Sequence, residues 1–500
     1  MIHRLALRNL LLNPWRTVFL LFGFSMGVAV MIVLLSIGEA LLDQAKDEKL
    51  VGGGTITVLP EGIDVEVLKT GGLGGLFFSI DHARFIHQQL LAAPRLRGLV
   101  SAAAPQIDGK LLYLRTADGR ERAVRASADI PSLTAAVGAA PNVLAGLWTD
   151  DSTDRRWRAP TAAEFEADID HFHEPPPEVA GDPSWAEWHY FNVISPDRKH
   201  WVFVTFMLAG AVGDHAKRWG GQVLVTLHEQ GRGERRFTSS APPSAVRYST
   251  SDANLGIAAS SVNVEPDGRY RVHAVAREDA TGAPITVDLD VTPAPGAYFP
   301  GAALTSGLVS GYVVPALRAD ATGAVCVAGS CTHYDGAQAY HDHNWGTWRG
   351  VTWEWGAARA GAYTLLYGRV QPPDSVATAQ PLFVYLVDSA GFLAVFRPRD
   401  IRYNDARTTR VNGRAVRTPA SAEMVDVRDG DTLRVTLHVE DASATDTRAS
   451  LVERGDGAGL AARRLRRPYF VQMKGTATIA GRIRGTPLSG TGAGFFETYR

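Results

Sequence analysis

The chain has 500 residues, 45% of them hydrophobic and 21% charged, the balance of a globular protein and not of a disordered one. That length exceeds one ordinary hydrophobic core, so two to four domains are expected. A formal net charge of −1 supplies no basic field for a nucleic-acid partner, and two cysteines, Cys326 and Cys331, exclude a disulfide framework. In an oxidising compartment these two could close a small loop; otherwise they are two small hydrophobes.

From Val18 to Gly38 the chain runs 21 residues without a charge. At about 1.5 Å per residue this spans about 31 Å, the hydrocarbon thickness of a bilayer. Arg4, Arg8 and Arg16 precede it and Trp15 suits the headgroup level, so the N-terminus is expected in the cytoplasm and the remainder across the membrane. A cleaved signal peptide would have a shorter apolar core and a small-residue cleavage site. The stretch from Arg4 to Leu42 resembles the N-terminus of MacB-type ABC transporter permeases, with similarity continuing towards residues 52–59 and covering about the first 150 residues. It implies an inner-membrane, single-pass anchor with a periplasmic bulk, and ABC transporter subunits as partners. No second apolar run follows and no GxxxxGK[ST] loop occurs, so neither a channel nor nucleotide hydrolysis is expected from this chain.

Residues 1–44 are thus expected to form an amphipathic helix and a transmembrane anchor, and 45–147 a small α+β domain. In the latter, Thr55–Leu59 alternates as a strand and Gly71–Gly75 reads as a flexible loop. Ser79 is placed to cap a helix presenting Phe85, Ile86 and Leu90, and Asp118-Gly119 to turn a hairpin between Lys110–Arg115 and Glu121–Arg125. Residues 148–182 are acidic and carry Pro175-Pro176-Pro177, which predicts a semi-rigid linker with solvated His171 and His173. Beyond Trp185 the period becomes two. Ser261–Val264, Tyr270–Ala276, Ile285–Val291 and the series Leu433, Val435, Leu437, Val439 alternate, with turns at 266–268 and 281–282. Strands in such number must close or stack. The expected architecture is mainly β: one N-terminal transmembrane helix, a small α+β extracytoplasmic domain, then two tandem lipocalin-like β-barrel domains over 183–347 and 348–500.

Tyr340–Arg359 packs Trp345, Trp348, Trp353 and Trp355 into eleven residues beside His341, Asp342 and His343. In an extended chain His341, His343 and Trp345 share one face, and Tyr340, Asp342 and Asn344 the other. A turn at Gly346–Gly350 would fold Val351–Trp355 back. Acid groups beside electron-rich rings suit a reaction through a carbocation, in which an acid protonates an alkene, the rings stabilise the cation and water adds. The same residues also suit a barrel interior filled by tryptophan. A zinc site from His341, His343 and His333 lacks a second shell, and neither a metal nor a cofactor is expected.

Residues 339–346, AYHDHNWG, resemble the signature of the carotenoid 1,2-hydratase (hydroxyneurosporene synthase) family and its AttH-like relatives. Glu187-Trp188-His189-Tyr190-Phe191 is similar to the segment that opens the family's first barrel, with His189 for its second tryptophan, so the resemblance covers about 180–500. It implies paired lipocalin-like domains around an apolar lipid or isoprenoid ligand, with His343, Trp345 and Tyr367 at the active site; Asp342, read above as the acid, joins His343 and Tyr367 as the catalytic candidates. Trp188, Tyr190, Tyr340, His341, Trp345, Trp348, Trp353, Trp355 and Arg369 are the candidate ligand contacts. The family's proton-donating aspartate falls two residues beyond the tyrosine, where this chain has Arg369, a residue that cannot donate at neutral pH. Three functions are therefore weighed: a lipid- or isoprenoid-binding protein serving an ABC-type exporter, a hydratase-like enzyme, and a non-catalytic scaffold.

Overall fold

The computed structural model describes residues 12, 14–47, 56–59, 79–139, 152–213, 218–303, 310–373, 381–411, 413–447 and 467–500. The chain divides into two compact units, one of residues 1–79 and 100–154 and one of 80–99 and 155–500.

In the first unit, helix α1 (Pro14–Asp47) contains a 24-residue stretch, Pro14–Ile37, long and apolar enough to cross a membrane and with none of it buried. Strands β1 (Gln106–Arg115) and β2 (Glu121–Asp129) pair antiparallel about the turn at Asp118-Gly119, where Gly119 takes φ +79°. Residues 56–59 lie in no strand, where Thr55–Leu59 was expected to alternate as one; Thr55 itself falls outside the described residues. Arg4, Arg8 and the Gly71–Gly75 loop fall outside the described residues.

Helix α2 (Ile80–Ala92) clusters with the second unit. Its buried face is Arg84, Phe85, His87 and Gln88, not the expected face with Ile86 and Leu90. Two polar groups are drawn inward by partners: Arg84 by Asp168, at 2.9 Å, and Gln88 by the Trp157 carbonyl.

Two antiparallel sheets make up the rest. The first holds β3 (Trp185–Ile194), β4 (His200–Gly210), β5 (Trp219–Glu229), β6 (Gly233–Ala241), β7 (Val246–Tyr248), β8 (Leu255–Ile257) and β9 (Ser260–Val264). It continues with β10 (Tyr270–Glu278), β11 (Pro284–Pro293), β12 (Phe299–Ala303), β13 (Ser310–Val327), β14 (Ser330–His333) and β15 (Ala337–Thr347). Its order runs β11-β13-β15-β3-β4-β5-β6-β10, and β10 pairs back onto β11, so eight strands close into a barrel without free edges. Cys326 and Cys331 are disulfide-bonded across the β13–β14 pair.

The second sheet comprises β16 (Thr352–Ala360), β17 (Tyr363–Gln371), β18 (Phe383–Asp388), β19 (Gly391–Phe396) and β20 (Arg402–Asn404), followed by β23 (Ser421–Arg428), β24 (Asp431–Asp446), β25 (Tyr469–Ile483) and β26 (Thr486–Tyr499). Between them β21 (Arg407–Val411) and β22 (Arg414–Thr418) form a separate hairpin. The nine strands run β19-β18-β17-β16-β26-β25-β24-β23-β20. Leu433, Val435, Leu437 and Val439 all point into its core, as their alternation predicts.

The segment expected as a linker is folded. Helices α4 (Ser152–Arg158) and α5 (Ala162–Ala167) occupy it, α3 (Pro131–Ala136) lying before them. A capping box between Thr161 and Glu164 starts α5. Ile169, Asp170 and Phe172 beyond it are buried, Phe172 completely and inside the barrel core. The acidic composition misleads because three of its groups have partners: Glu164 pairs with Arg155, Asp168 with Arg84 and Arg156, and Asp170 with histidines.

Candidate functional site

The period of two along β15 decides the geometry. His341 and His343 point into the barrel, while Tyr340 and Asp342 point outward onto the second sheet. Strand β3 pairs with β15 in register, His343 opposite His189 and Asp342 opposite Tyr190, and divides its side chains the same way. The chain does not fold back on itself at Gly346–Gly350. β16 instead joins β17 and β26 in the other sheet, because β15 already has β3 and β13 on its two edges.

Two buried polar clusters result, back to back. Inside the barrel, Asp170, His189, His341 and His343 are fully buried and Glu187 nearly so. Asp170 accepts from Tyr270 Oη at 2.5 Å, and lies 3.1 Å from His341 Nε2 and 2.6 Å from His343 Nδ1. His343 Nε2 reaches Glu187 at 3.1 Å, and Glu187 also takes the backbone N–H and Nδ1 of His173. His173 stacks on Trp345, ring centroids 3.9 Å apart, so it is no solvated linker residue. Burial alone would raise the Asp170 carboxyl, but the imidazoles of His189, His341 and His343 outweigh it and hold it well below the ordinary range. Burial works against charge on His343 too, yet its two carboxylate partners push it up to about 9. Burial and the neighbouring His343 hold the His189 imidazole well below its ordinary range.

Between the sheets lies an aromatic layer. Tyr340 Oη donates to Asp342 Oδ2 at 2.7 Å and accepts from Trp355 Nε1 at 2.9 Å, while Asn344 donates to Asp342 Oδ1 at 2.6 Å. Tyr340 meets Phe495 edge-on at 4.7 Å, and Trp355 meets Tyr312 at 5.1 Å. A second carboxyl, Glu497, takes bonds from Trp353 Nε1 at 2.9 Å, Gln472 at 3.2 Å and Tyr190 at 3.3 Å. Burial in this layer raises Asp342 to about 7, against the opposing hydrogen bond from Tyr340.

Trp188, Tyr190, Tyr340, Asp342, Trp348, Trp353 and Trp355 therefore share the inter-sheet layer. His341, His343 and Trp345 sit on the other side of β15. Tyr367 is in the core of the second sheet against Phe496, its hydroxyl without a partner among the described residues. Arg369 pairs with Glu354 at 2.7 Å and Asp400 at 3.4 Å. The expected catalytic trio of Asp342, His343 and Tyr367 is not one constellation, because adjacent residues on a strand face opposite ways. His333, weighed above as a third zinc ligand, is exposed on β14. Composition and spacing around residue 340 gave no sign of Glu497, which arrives from the last strand, or of Asp170. A cavity of about 10 Å³ adjoins the layer, lined by Asn192, Tyr340 and Phe495 among others. That is room for about one water.

Glu497 gives a pH-dependent prediction. Burial raises its carboxyl above the ordinary 4.5, and the bonds from Trp353, Gln472 and Tyr190 offset this only in part. The native state then holds the proton more tightly than the unfolded chain, so this contribution to stability is full below 4.5 and is lost as pH rises through the folded value. Glu497→Gln, which removes the titration, should gain stability relative to the wild type between pH 4.5 and 8, read from urea midpoints. A difference that stays constant across that range would contradict the assignment.

No protein-family model matches the chain, and no curated protein matches it either. Among solved structures, an AttH-like protein of Nitrosomonas europaea aligns at 17% identity and a TM-score of 0.45, over 63% of this chain and 93% of that one. CghA with Sch210972 aligns at 14% identity and a TM-score of 0.44, over 63% of this chain and 89% of its own. Kievitone hydratase from Nectria haematococca aligns at 13% identity and a TM-score of 0.40, over 66% of this chain and 94% of that enzyme.

Proposed function

We propose that this chain is a membrane-tethered, hydratase-like enzyme that protonates an alkene of an apolar, isoprenoid-type substrate, with Asp342 as the acid. One observation carries the reading: a carboxyl buried among aromatic rings between two sheets, held by Tyr340 and Asn344 and facing no basic side chain within hydrogen-bond reach among the described residues. The Asp342 proton passes to one alkene carbon and leaves a cation on the other. Trp355, Tyr340 and Phe495 stabilise that cation through their ring faces. Water adds to it and returns a proton to Asp342, so the residue is regenerated. His343, on the far side of β15, takes no part.

Chemistry is preferred to storage of a lipid because the layer holds a buried carboxyl that storage does not need, not because of its volume. A ligand pocket for a lipid-sized guest measures roughly 300–1,000 Å³, against about 10 Å³ beside this layer. An isoprenoid substrate and a stored lipid alike require this layer to open, with Tyr340 displaced from Asp342. The apolar α1 and the arginines before it support a tether with the catalytic body outside the cytoplasm. Partnership with an ABC-type exporter rests on the resemblance of residues 4–42 alone.

Incubation of the detergent-solubilised full chain with acyclic carotenoids, followed by mass spectrometry for addition of water, tests the proposal. Asp342→Asn should lower product formation by about 10²–10⁴. Absence of product from the wild type, or equal yield from the variant, would overturn it.

A further inference from the structure

We infer that the barrel interior holds a structural divalent transition-metal ion, of zinc type, bound by Asp170, His189 Nδ1 and His341 Nε2. The three donor atoms lie within 4.8 Å of one another and all three residues are buried. Ligands about 2.1 Å from a tetrahedral zinc stand roughly 3.4 Å apart, so small side-chain movements complete the site.

Protons alone leave this cluster unsatisfied. His189 Nε2 lies 2.9 Å from the Ala253 carbonyl, which can only accept, and this fixes the proton on Nε2. The bare lone pair on Nδ1 then has no hydrogen-bond partner among the described residues and faces Asp170 Oδ1 at 3.9 Å. A proton cannot bridge that distance; a cation between the two atoms can. His341 repeats the pattern: Nδ1 lies 3.1 Å from the Tyr190 carbonyl, which turns the Nε2 lone pair towards Asp170. Both imidazoles are therefore oriented by backbone carbonyls through their distal nitrogens, the usual outer support of a metal-bound histidine. His343 and Tyr270 supply the outer bonds to the carboxylate, at 2.6 and 2.5 Å.

Enclosure by Phe172, Phe191 and Tyr270, all completely buried, makes the role structural. The ion would pin the segment after α5, through Asp170, to β3 and β15, through His189 and His341. Two imidazoles and a carboxylate suit zinc or another late first-row metal better than calcium or magnesium.

The test uses the untagged full chain, purified in detergent without chelator from zinc-supplemented cultures. About one zinc per chain is expected by elemental mass spectrometry, with a thermal midpoint that falls on treatment with dipicolinate and recovers on adding zinc. His189→Ala should lower zinc affinity by more than about tenfold, while His333→Ala, on the exposed strand, should keep the metal. Wild-type protein with almost no metal and a midpoint indifferent to added zinc overturns the inference, as does His189→Ala retaining a full equivalent. The wild-type measurements decide the matter even where His189→Ala fails to fold.

Discussion

Asp170→Asn should abolish stable folding of the barrel or lower its stability by about 3–5 kcal/mol, the cost of leaving a buried charge without its partner. Asp170 is the anion on which Tyr270, His341 and His343 converge. Asparagine has one acceptor oxygen and adds an NH₂ that must face one of the two donors, Tyr270 or His343, so at least one bond becomes a donor–donor contact in a site that water does not reach. His343 would keep Glu187 but lose its closer carboxylate. Since whole domains are stable by only about 5–15 kcal/mol, such a loss takes a large share. Asp320→Asn is the matched control: Asp320 pairs with Arg359 at 2.9 Å but its side chain is 73% exposed, and exposed pairs contribute roughly 0–1 kcal/mol. Urea unfolding followed by tryptophan fluorescence separates the two. Equal midpoints for Asp170→Asn and the wild type would show that the cluster is not held by this carboxylate.

The same residue marks where the sequence stops being legible. Alternation along β15 gives the His341–His343–Trp345 face correctly, because the period of a strand is fixed by backbone geometry. The same period puts Trp353 and Trp355 on one face of β16, although the expected fold-back at Gly346–Gly350 does not occur. What alternation cannot give is the partner. Asp170 lies 171 residues from His341, on a segment whose acidity and three prolines suggest solvent. Ile169 and Phe172, apolar residues set among those acids, and the Thr161-x-x-Glu164 box ahead of them were the local signs of a folded plug. Sequence proximity also misjudged the site: Asp342 and His343 are neighbours in the chain, yet the strand sends one to each side of the barrel wall. Glu497 was illegible for the ordinary reason that pairing of β26 with β16 is a long-range choice, set by packing and not by local pattern.

Glycine in the last strand shows a further limit and gives the second large effect. Gly490, Gly492 and Gly494 recur with period two, so they share one face of β26, and that face lies against the backbone of β16. A Cβ at Gly490 would meet the Ala360 carbonyl, one at Gly492 the Arg359 carbonyl, and one at Gly494 the carbonyl of Ala357, each inside van der Waals contact. These obstacles are backbone carbonyls, joined at Gly494 by the rigid Ala358 Cβ, so no rotamer change relieves them. Read from sequence, such glycines suggest turns; here they let two strands cross closely. The crossing lies just beyond the register that sets Trp355 opposite Glu497, so it also fixes both groups in the aromatic layer. Gly492→Ala should therefore cost about 3 kcal/mol or more, the upper end for overpacking, and should change the fluorescence of Trp353 and Trp355 in the folded protein. Thr491→Ala is the control on the opposite, exposed face, where only a bond to Thr478 at 3.0 Å is lost and about 0.5 kcal/mol is at stake. A Gly492→Ala protein that melts with the wild type would mean that β16 and β26 can separate without penalty. The inter-sheet layer would then be free to open around Asp342 by strand displacement, and not only by movement of Tyr340 and Trp355.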